Sequence, residues 1–87
     1  MPTVMITGAS RGLGLEFARQ YANDAWRVIA TCRDPAGAAD LEAVEGALHI
    51  HALDVTDRDG LRALARTLEG QAVDLLINNA GIFGPDD

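Results

Sequence analysis

Eighty-seven residues fall short of the roughly 100–200 usual for a domain, which excludes a second, substrate-binding domain and makes the chain one compact unit or part of one. Apolar residues make up 48% and charged residues 23%, a globular composition, while thirteen acidic residues against seven arginines give a net charge of −6, the wrong sign for a nucleic-acid-binding protein. A single cysteine, Cys32, excludes an intrachain disulfide and suits a reducing, cytoplasmic compartment, and no apolar run approaches the ~18 residues of a membrane span.

Met1-Pro2-Thr3 leads into apolar residues without a basic stretch, so no secretory leader is expected. Val4-Met5-Ile6 is too short for a helix and stops at Thr7-Gly8, which predicts a buried strand ending in a turn. From Gly12, the residues Gly14, Phe17, Ala18 and Tyr21 recur at helical spacing opposite Glu16, Arg19 and Gln20, predicting a helix packed on a sheet. Arg27 to Cys32 is β-branched and apolar on both faces, as in a strand covered above and below. A weaker helix is expected over Ala36 to Glu45, with Leu41 and Val44 inward and Gly46 as its C-terminal cap. Leu48 to Val55 predicts a third strand with one more polar face, as at a sheet edge.

Thr56 and Asp59 form a capping-box-like start for a third helix, in which Leu61, Leu64, Ala65 and Leu68 repeat at i, i+3, i+4 and i+7. Val73 to Ile77 predicts a fourth strand, closed by Asn78-Asn79-Ala80-Gly81. The order β-α-β-α-β-α-β implies right-handed crossovers and a parallel sheet, a partial doubly wound, Rossmann-like α/β fold. Such sheets continue through further strands, so Val73–Ile77 is expected to present a bare apolar edge that a missing C-terminal half, or self-association, would cover.

The segment from Thr7 to Gly14 lies between the first strand and the first helix, where these folds bind a nucleotide pyrophosphate. Gly8 permits the tight turn, Gly12 lets backbone approach the phosphates, and Gly14 lets the helix pack on the strand, while the helix N-terminus faces the anion. The alternative is an ordinary strand-to-helix turn. About twenty residues further on, the second strand ends at Arg33-Asp34, where an acid would mark NAD. Arg33 could instead clamp a 2′-phosphate, with Arg11 approaching the same group, which favours NADP; the alternative is two solvated arginines with Asp34 doing the NAD work.

Thr-Gly-Ala-Ser-Arg-Gly-Leu-Gly at 7–14, Leu-Asp-Val-Thr at 53–56 and Asn-Asn-Ala-Gly at 78–81 together resemble the N-terminal half of a classical short-chain dehydrogenase/reductase, across essentially all 87 residues. The phrases Gly14-Leu15-Glu16-Phe17 and Ala30-Thr31-Cys32-Arg33-Asp34-Pro35 further resemble the C-factor-like and sniffer-like carbonyl reductases. The resemblance implies that residues 1–87 are the NADP-binding half of a single Rossmann-type domain. It implies that Gly8, Ser10, Arg11, Gly12, Leu13 and Gly14 line the pyrophosphate and adenosine ribose. Arg33 would hold the 2′-phosphate, Asp54 and Val55 the adenine, and Asn79, Ala80 and Gly81 the sugar near the nicotinamide, with Asn78 bracing the sheet. Capping near Thr56 is the alternative for Asp54, and a polar turn the alternative for Asn78-Asn79.

The family's chemistry uses a tyrosine acid, a lysine four residues later and a serine. The chain has no lysine, Tyr21 falls in the first helix, and Ser10 falls in the glycine loop, so no catalytic residue is assigned. The intact oxidoreductase would carry hydride between NADP(H) and a carbonyl/alcohol substrate. The chain alone would be inactive, and the rival expectation is a truncated, non-catalytic nucleotide- or protein-binding module. His49 and His51 share a strand face without a third ligand in register, so no metal is expected. Arg58, Arg62 and Arg66 read as a solvated helix face, and Cys32 as a small buried hydrophobe.

Overall fold

The computed structural model of the chain describes residues 1–79. Strand β1 spans Thr3–Ile6, helix α1 Gly12–Asn23, strand β2 Arg27–Cys32, helix α2 Ala39–Glu42, strand β3 Leu48–Ala52, helix α3 Arg58–Thr67 and strand β4 Leu75–Ile77. The strands form one parallel sheet in the order β3-β2-β1-β4. The chain therefore steps from β1 outward to β3 and returns to the other side of β1, the reversal that opens a ligand crevice in doubly wound folds. Right-handed crossovers put α1 and α2 on one face and α3 on the other.

The register explains why β2 is apolar on both faces. Val4, Val28 and Leu48 align across the sheet, as do Ile6, Ala30 and Ile50, and these residues pack with Leu15, Ala18, Ala22 and Leu41 of the helices. Ile29 and Thr31 point to the opposite face and are fully buried too. Phe17 and Tyr21, expected in the α1 stripe, are half-buried against this core. At the edge, β3 keeps His49 exposed, in line with its more polar face.

Helix α1 closes through a left-handed residue. Ala25 has φ +64°, the Ala25 N–H donates to the Ala22 carbonyl at 3.2 Å, and the Trp26 N–H donates to the Tyr21 carbonyl at 3.0 Å. The Trp26 and Tyr21 rings meet edge-on with centroids 4.9 Å apart, supplying the apolar contact that accompanies this C-terminal motif.

Several expectations are corrected. The helix expected over Ala36–Glu45 is instead a 3-10 turn at Pro35–Gly37 followed by a single turn, α2. The Gly37 N–H closes onto the Asp34 carbonyl at 3.1 Å, and Ala38 leaves helical geometry at φ −102°, ψ 51°, so the two pieces cannot fuse. Leu41 still anchors the segment: it is fully buried, a burial that stabilises by ~1.5–3 kcal/mol. Gly46 lies beyond the helix end at φ +124°, tight against Ala22, rather than capping.

Strand β3 stops at Ala52 rather than Val55, because Asp54 accepts from the Thr56 N–H and turns the chain. That contact also displaces the expected capping box. Thr56 is committed to Asp54, and Asp57 caps α3 by accepting from the Asp59 N–H at 3.1 Å. Of the α3 stripe, Leu64 is buried while Leu61 is exposed. Strand β4 begins at Leu75 rather than Val73 and, among the described residues, pairs only with β1; Leu75 and Leu76 are 37% and 59% exposed, the open edge expected from sequence. Among the described residues, no helix is long and apolar enough to cross a membrane.

Candidate dinucleotide site

Because all four strands are parallel, the loops that follow them lie along one end of the sheet. Three inter-strand steps of ~4.8 Å separate the residues after β3 from those after β4 by ~14 Å. Residues Thr7–Gly14, Arg33–Asp34, Leu53–Val55 and Asn78–Asn79 share that end.

The loop after β1 is tied down on both sides. Thr7 donates its N–H to the Ile77 carbonyl at 3.0 Å and its hydroxyl to Asn78 Oδ1 at 2.9 Å, while the Ala9 N–H donates to the Thr31 carbonyl at 3.0 Å. Gly8 and Gly12 turn the backbone through the left-handed region, at φ +63° and +58°. The loop delivers the chain to the start of α1 with Arg11 extended as N-cap and making no side-chain capping bond. Gly12, Leu13 and Gly14 then bring no acid into the first turn, so the donors and positive dipole end remain available to an anion.

The glycines separate by environment. A Cβ at Gly12 would meet nothing within 4 Å among the described residues, so their packing leaves that space open. A Cβ at Gly14 would collide with the Gly8 carbonyl oxygen and come within 2.7 Å of Asn79 Nδ2. Gly14 therefore sets the approach of α1 to the loop after β1, where the sequence pointed to the strand. Ser10 is half-buried, Arg11 is exposed, and Leu13 exposes an apolar side chain beside the helix N-terminus.

At the other end of the crevice, Arg33 and Asp34 leave β2 exposed. Asp54 follows β3, and its Oδ1 accepts from the Thr56 hydroxyl at 2.6 Å and the Thr56 N–H at 2.9 Å. Those two bonds, hydroxyl first, hold its carboxyl below the ordinary aspartate range, with a smaller contribution from the Arg33 charge. The turn-capping alternative for Asp54 is thus realised; both bonds use one carboxylate oxygen. Val55 beside it is half-buried. Cys32, at the end of β2, is buried; that burial first, then the Asp34 charge, pushes its thiol up and keeps it protonated, as expected of a small hydrophobe.

Asn79 is buried at 3% exposure and donates Nδ2 to the Gly8 carbonyl at 3.0 Å, while its Oδ1 is buried without a partner among the described residues. Asn78 contacts Thr7, the bracing role expected of it. Ala80 and Gly81 lie outside the described residues. The anchoring by Thr7 was missed in the sequence, although a polar residue directly after a buried strand was the available signal. Among the described residues, no group of three His, Cys, Asp or Glu converges as a metal site.

Comparison with known proteins places this arrangement. The sequence profile described as short chain dehydrogenase matches residues 2–87. Serine 3-dehydrogenase of Agrobacterium fabrum is 41% identical over 83 residues, covering 92% of this chain and 33% of its own length. A carbonyl reductase of Pseudomonas aeruginosa, solved in complex with NADP, superposes with a TM-score of 0.87 at 35% identity, covering 98% of this chain and 40% of that one. A short-chain dehydrogenase/reductase of Burkholderia multivorans with bound NADP gives 0.81 at 40% identity, covering 91% and 36%. The chain spans about a third of the length of the curated relatives it matches. With a Rossmann-like parallel sheet, a glycine loop at its reversal point and a profile match over nearly its whole length, the chain belongs to the short-chain dehydrogenase family.

Proposed function

We propose that the chain is the NADP-binding portion of a short-chain oxidoreductase acting on a carbonyl/alcohol substrate. The observation that carries the reading is the junction of β1 and α1: an uncapped helix N-terminus faces a space that Gly12 leaves open. The NADP-bound relatives support the choice of cofactor.

In this reading Gly8, Ser10, Arg11, Gly12 and Leu13 border the pyrophosphate and adenosine ribose, and Gly14 seats the helix that supplies the donors. Arg33 holds the 2′-phosphate through its planar fork, and Arg11 adds positive charge on the same side. Asp54 and Val55 border the adenine, Asp54 through the carboxylate oxygen that Thr56 does not use. Asn79, with Ala80 and Gly81, borders the sugar near the nicotinamide. The dinucleotide, when bound, supplies or accepts hydride.

Oxygen protonation is not assigned to any residue here, since the chain has no lysine. A serine, a tyrosine and a lysine would come from further chain that also covers β4. The second reading is a module that binds nucleotide without turnover, and the exposed β4 edge is the feature that favours it. The buried free thiol of Cys32 fits a cytoplasmic setting.

Calorimetric titration of the protein with NADPH and with NADH tests the reading. Saturable binding with NADPH the tighter ligand is expected, and no binding of either dinucleotide would overturn it. Native mass spectrometry of the same sample separates the two readings: a lysine-containing companion or longer chain supports the enzyme, and a lone 87-residue species binding NADPH supports the module.

A further inference from the structure

Strand β3 stands at an edge of the sheet; among the described residues it pairs only with β2. That pairing fixes the phase of its free backbone. The Val28 N–H donates to the Ala47 carbonyl at 2.8 Å and the Leu53 N–H to the Cys32 carbonyl at 2.9 Å, so the odd-numbered residues 47–53 direct their groups toward β2. Leu48, Ile50 and Ala52 direct theirs outward, and of these the Leu48 N–H already donates to the Gly46 carbonyl at 3.0 Å. His49 and His51 align with Ile29 and Thr31, so both imidazoles stand on the α3 face, His49 exposed and His51 half-buried. Their Cβ atoms lie two residues, ~6.6 Å, apart along the strand. No third His, Cys, Asp or Glu of the chain joins them among the described residues, so one chain offers half of a tetrahedral site.

The backbone phase says what can supply the other half. A second copy, related by a two-fold axis through Ile50 perpendicular to the sheet, continues the sheet antiparallel. Ile50 then exchanges both its bonds with Ile50 of the second copy, and the Ala52 N–H meets the Leu48 carbonyl of the second copy. In that register His49 faces His51 of the second copy in the non-hydrogen-bonded position, where Cβ atoms approach to ~4.5–5.5 Å. The Cβ atoms of the four histidines form a rectangle of about 5 by 6.6 Å, each ~4 Å from its centre, so an ion above that centre is within reach of all four rings.

We infer that β3 carries half of a transition-metal site, which a second copy of the chain completes: four neutral imidazoles hold zinc, or an ion of its class, and join two chains edge to edge. The pairing depends on the ion. The shared edge, ~17 Å long and ~10 Å thick, gives roughly 350 Å² for two copies, against ~1,200 Å² in a stable interface. Each chain carries a net charge of −6, so bare copies repel and a dication between them offsets part of that repulsion. Imidazoles select zinc, copper or nickel over magnesium, which takes oxygen ligands. The inference is independent of the dinucleotide reading, since neither histidine is among the residues assigned to the cofactor.

Sedimentation velocity of the chelator-stripped protein, titrated with zinc chloride, is the test, with native mass spectrometry for stoichiometry. Zinc should double the mass of the metal-free species, with one ion per joined pair of edges, and EDTA should reverse it. Magnesium chloride should leave the mass unchanged; doubling there would mean charge screening and sink the site. His49→Gln, at an exposed position, removes two of the four ligands by symmetry and should abolish the doubling, as should His51→Gln. Ala52→Pro keeps every ligand but deletes an outward N–H from each copy, at an exposed edge position where proline is tolerated. It should weaken pairing roughly 25- to 100-fold, at five- to tenfold per hydrogen bond. Absence of zinc binding, zinc bound without doubling, doubling that survives the histidine variants, or doubling indifferent to Ala52→Pro would each overturn the inference.

Discussion

Replacing Gly14 by alanine asks whether the helix and the loop are in fact locked at van der Waals limits. The added Cβ strikes the Gly8 carbonyl oxygen and lies 2.7 Å from Asn79 Nδ2 and 2.9 Å from the Gly8 carbonyl carbon. Two of those three atoms are backbone, and the third is a short, buried amide already hydrogen-bonded. Overpacking of this kind costs about 1–3 kcal/mol, here at the upper end, and the strained Asn79–Gly8 bond adds ~1 kcal/mol. Alanine's helix propensity returns ~1 kcal/mol, so the net loss is about 3 kcal/mol. A domain of this length holds ~4–13 kcal/mol in total at 0.05–0.15 kcal/mol per residue. The melting midpoint should then fall by roughly 12–24 °C at 4–8 °C per kcal/mol. Thermal melts followed by circular dichroism, with urea melts for the free energy, measure it. A fall below ~4 °C would mean that α1 slides off the loop at little cost and that the close approach is incidental.

Other expectations concern the cofactor, the helix end and pH. Arg33→Asp should weaken NADPH by roughly 10- to 100-fold, the worth of a charge-assisted bond, with little change for NADH; equal losses for both ligands in calorimetry would remove Arg33 from the 2′-phosphate. Ala25→Gly relieves a left-handed alanine and should stabilise by about 0.5–1 kcal/mol in urea melts, while Ala25→Val should destabilise; the reverse order would contradict the φ of +64°. Asp54 has its pKa lowered on folding, so its contribution is present above the unfolded-state value and is lost as pH falls through the folded one. Asp54→Asn should therefore flatten the acid side of the stability profile and leave its neutral side level, as read from urea midpoints; an unchanged acid slope would refute it.

What the sequence disclosed depended on how local the determining interaction is. Strand β2 was found to its exact ends because Arg27–Cys32 is apolar on both faces, a pattern that needs no knowledge of neighbours. Gly12 as the start of α1 was legible for the same reason, as was the exposed apolar edge of β4. The second helix misled because Ala36–Glu45 is rich in helix formers, whereas the outcome turned on the Asp34–Gly37 closure and the burial of Leu41. The cap of α3 moved by one residue because Asp54 competes for Thr56. In the site, the glycines announced themselves, but the clasp of Thr7 and Gly8 by Asn78 and Asn79 spans 71 residues and leaves no periodic trace.

The buried thiol of Cys32 gives this molecule an internal clock. Alkylating agents react with thiolate, and at 3% exposure with its proton held on, Cys32 can react only after β2 parts from the layer that covers it. When reclosing outpaces alkylation, the ratio of the observed rate to that of a free thiol equals the opening equilibrium, so one unlabelled side chain reports local stability beneath the proposed 2′-phosphate contact. A ligand that grips the crevice must slow that reaction in proportion to its occupancy, which turns a structural cysteine into a gauge of binding that requires no turnover.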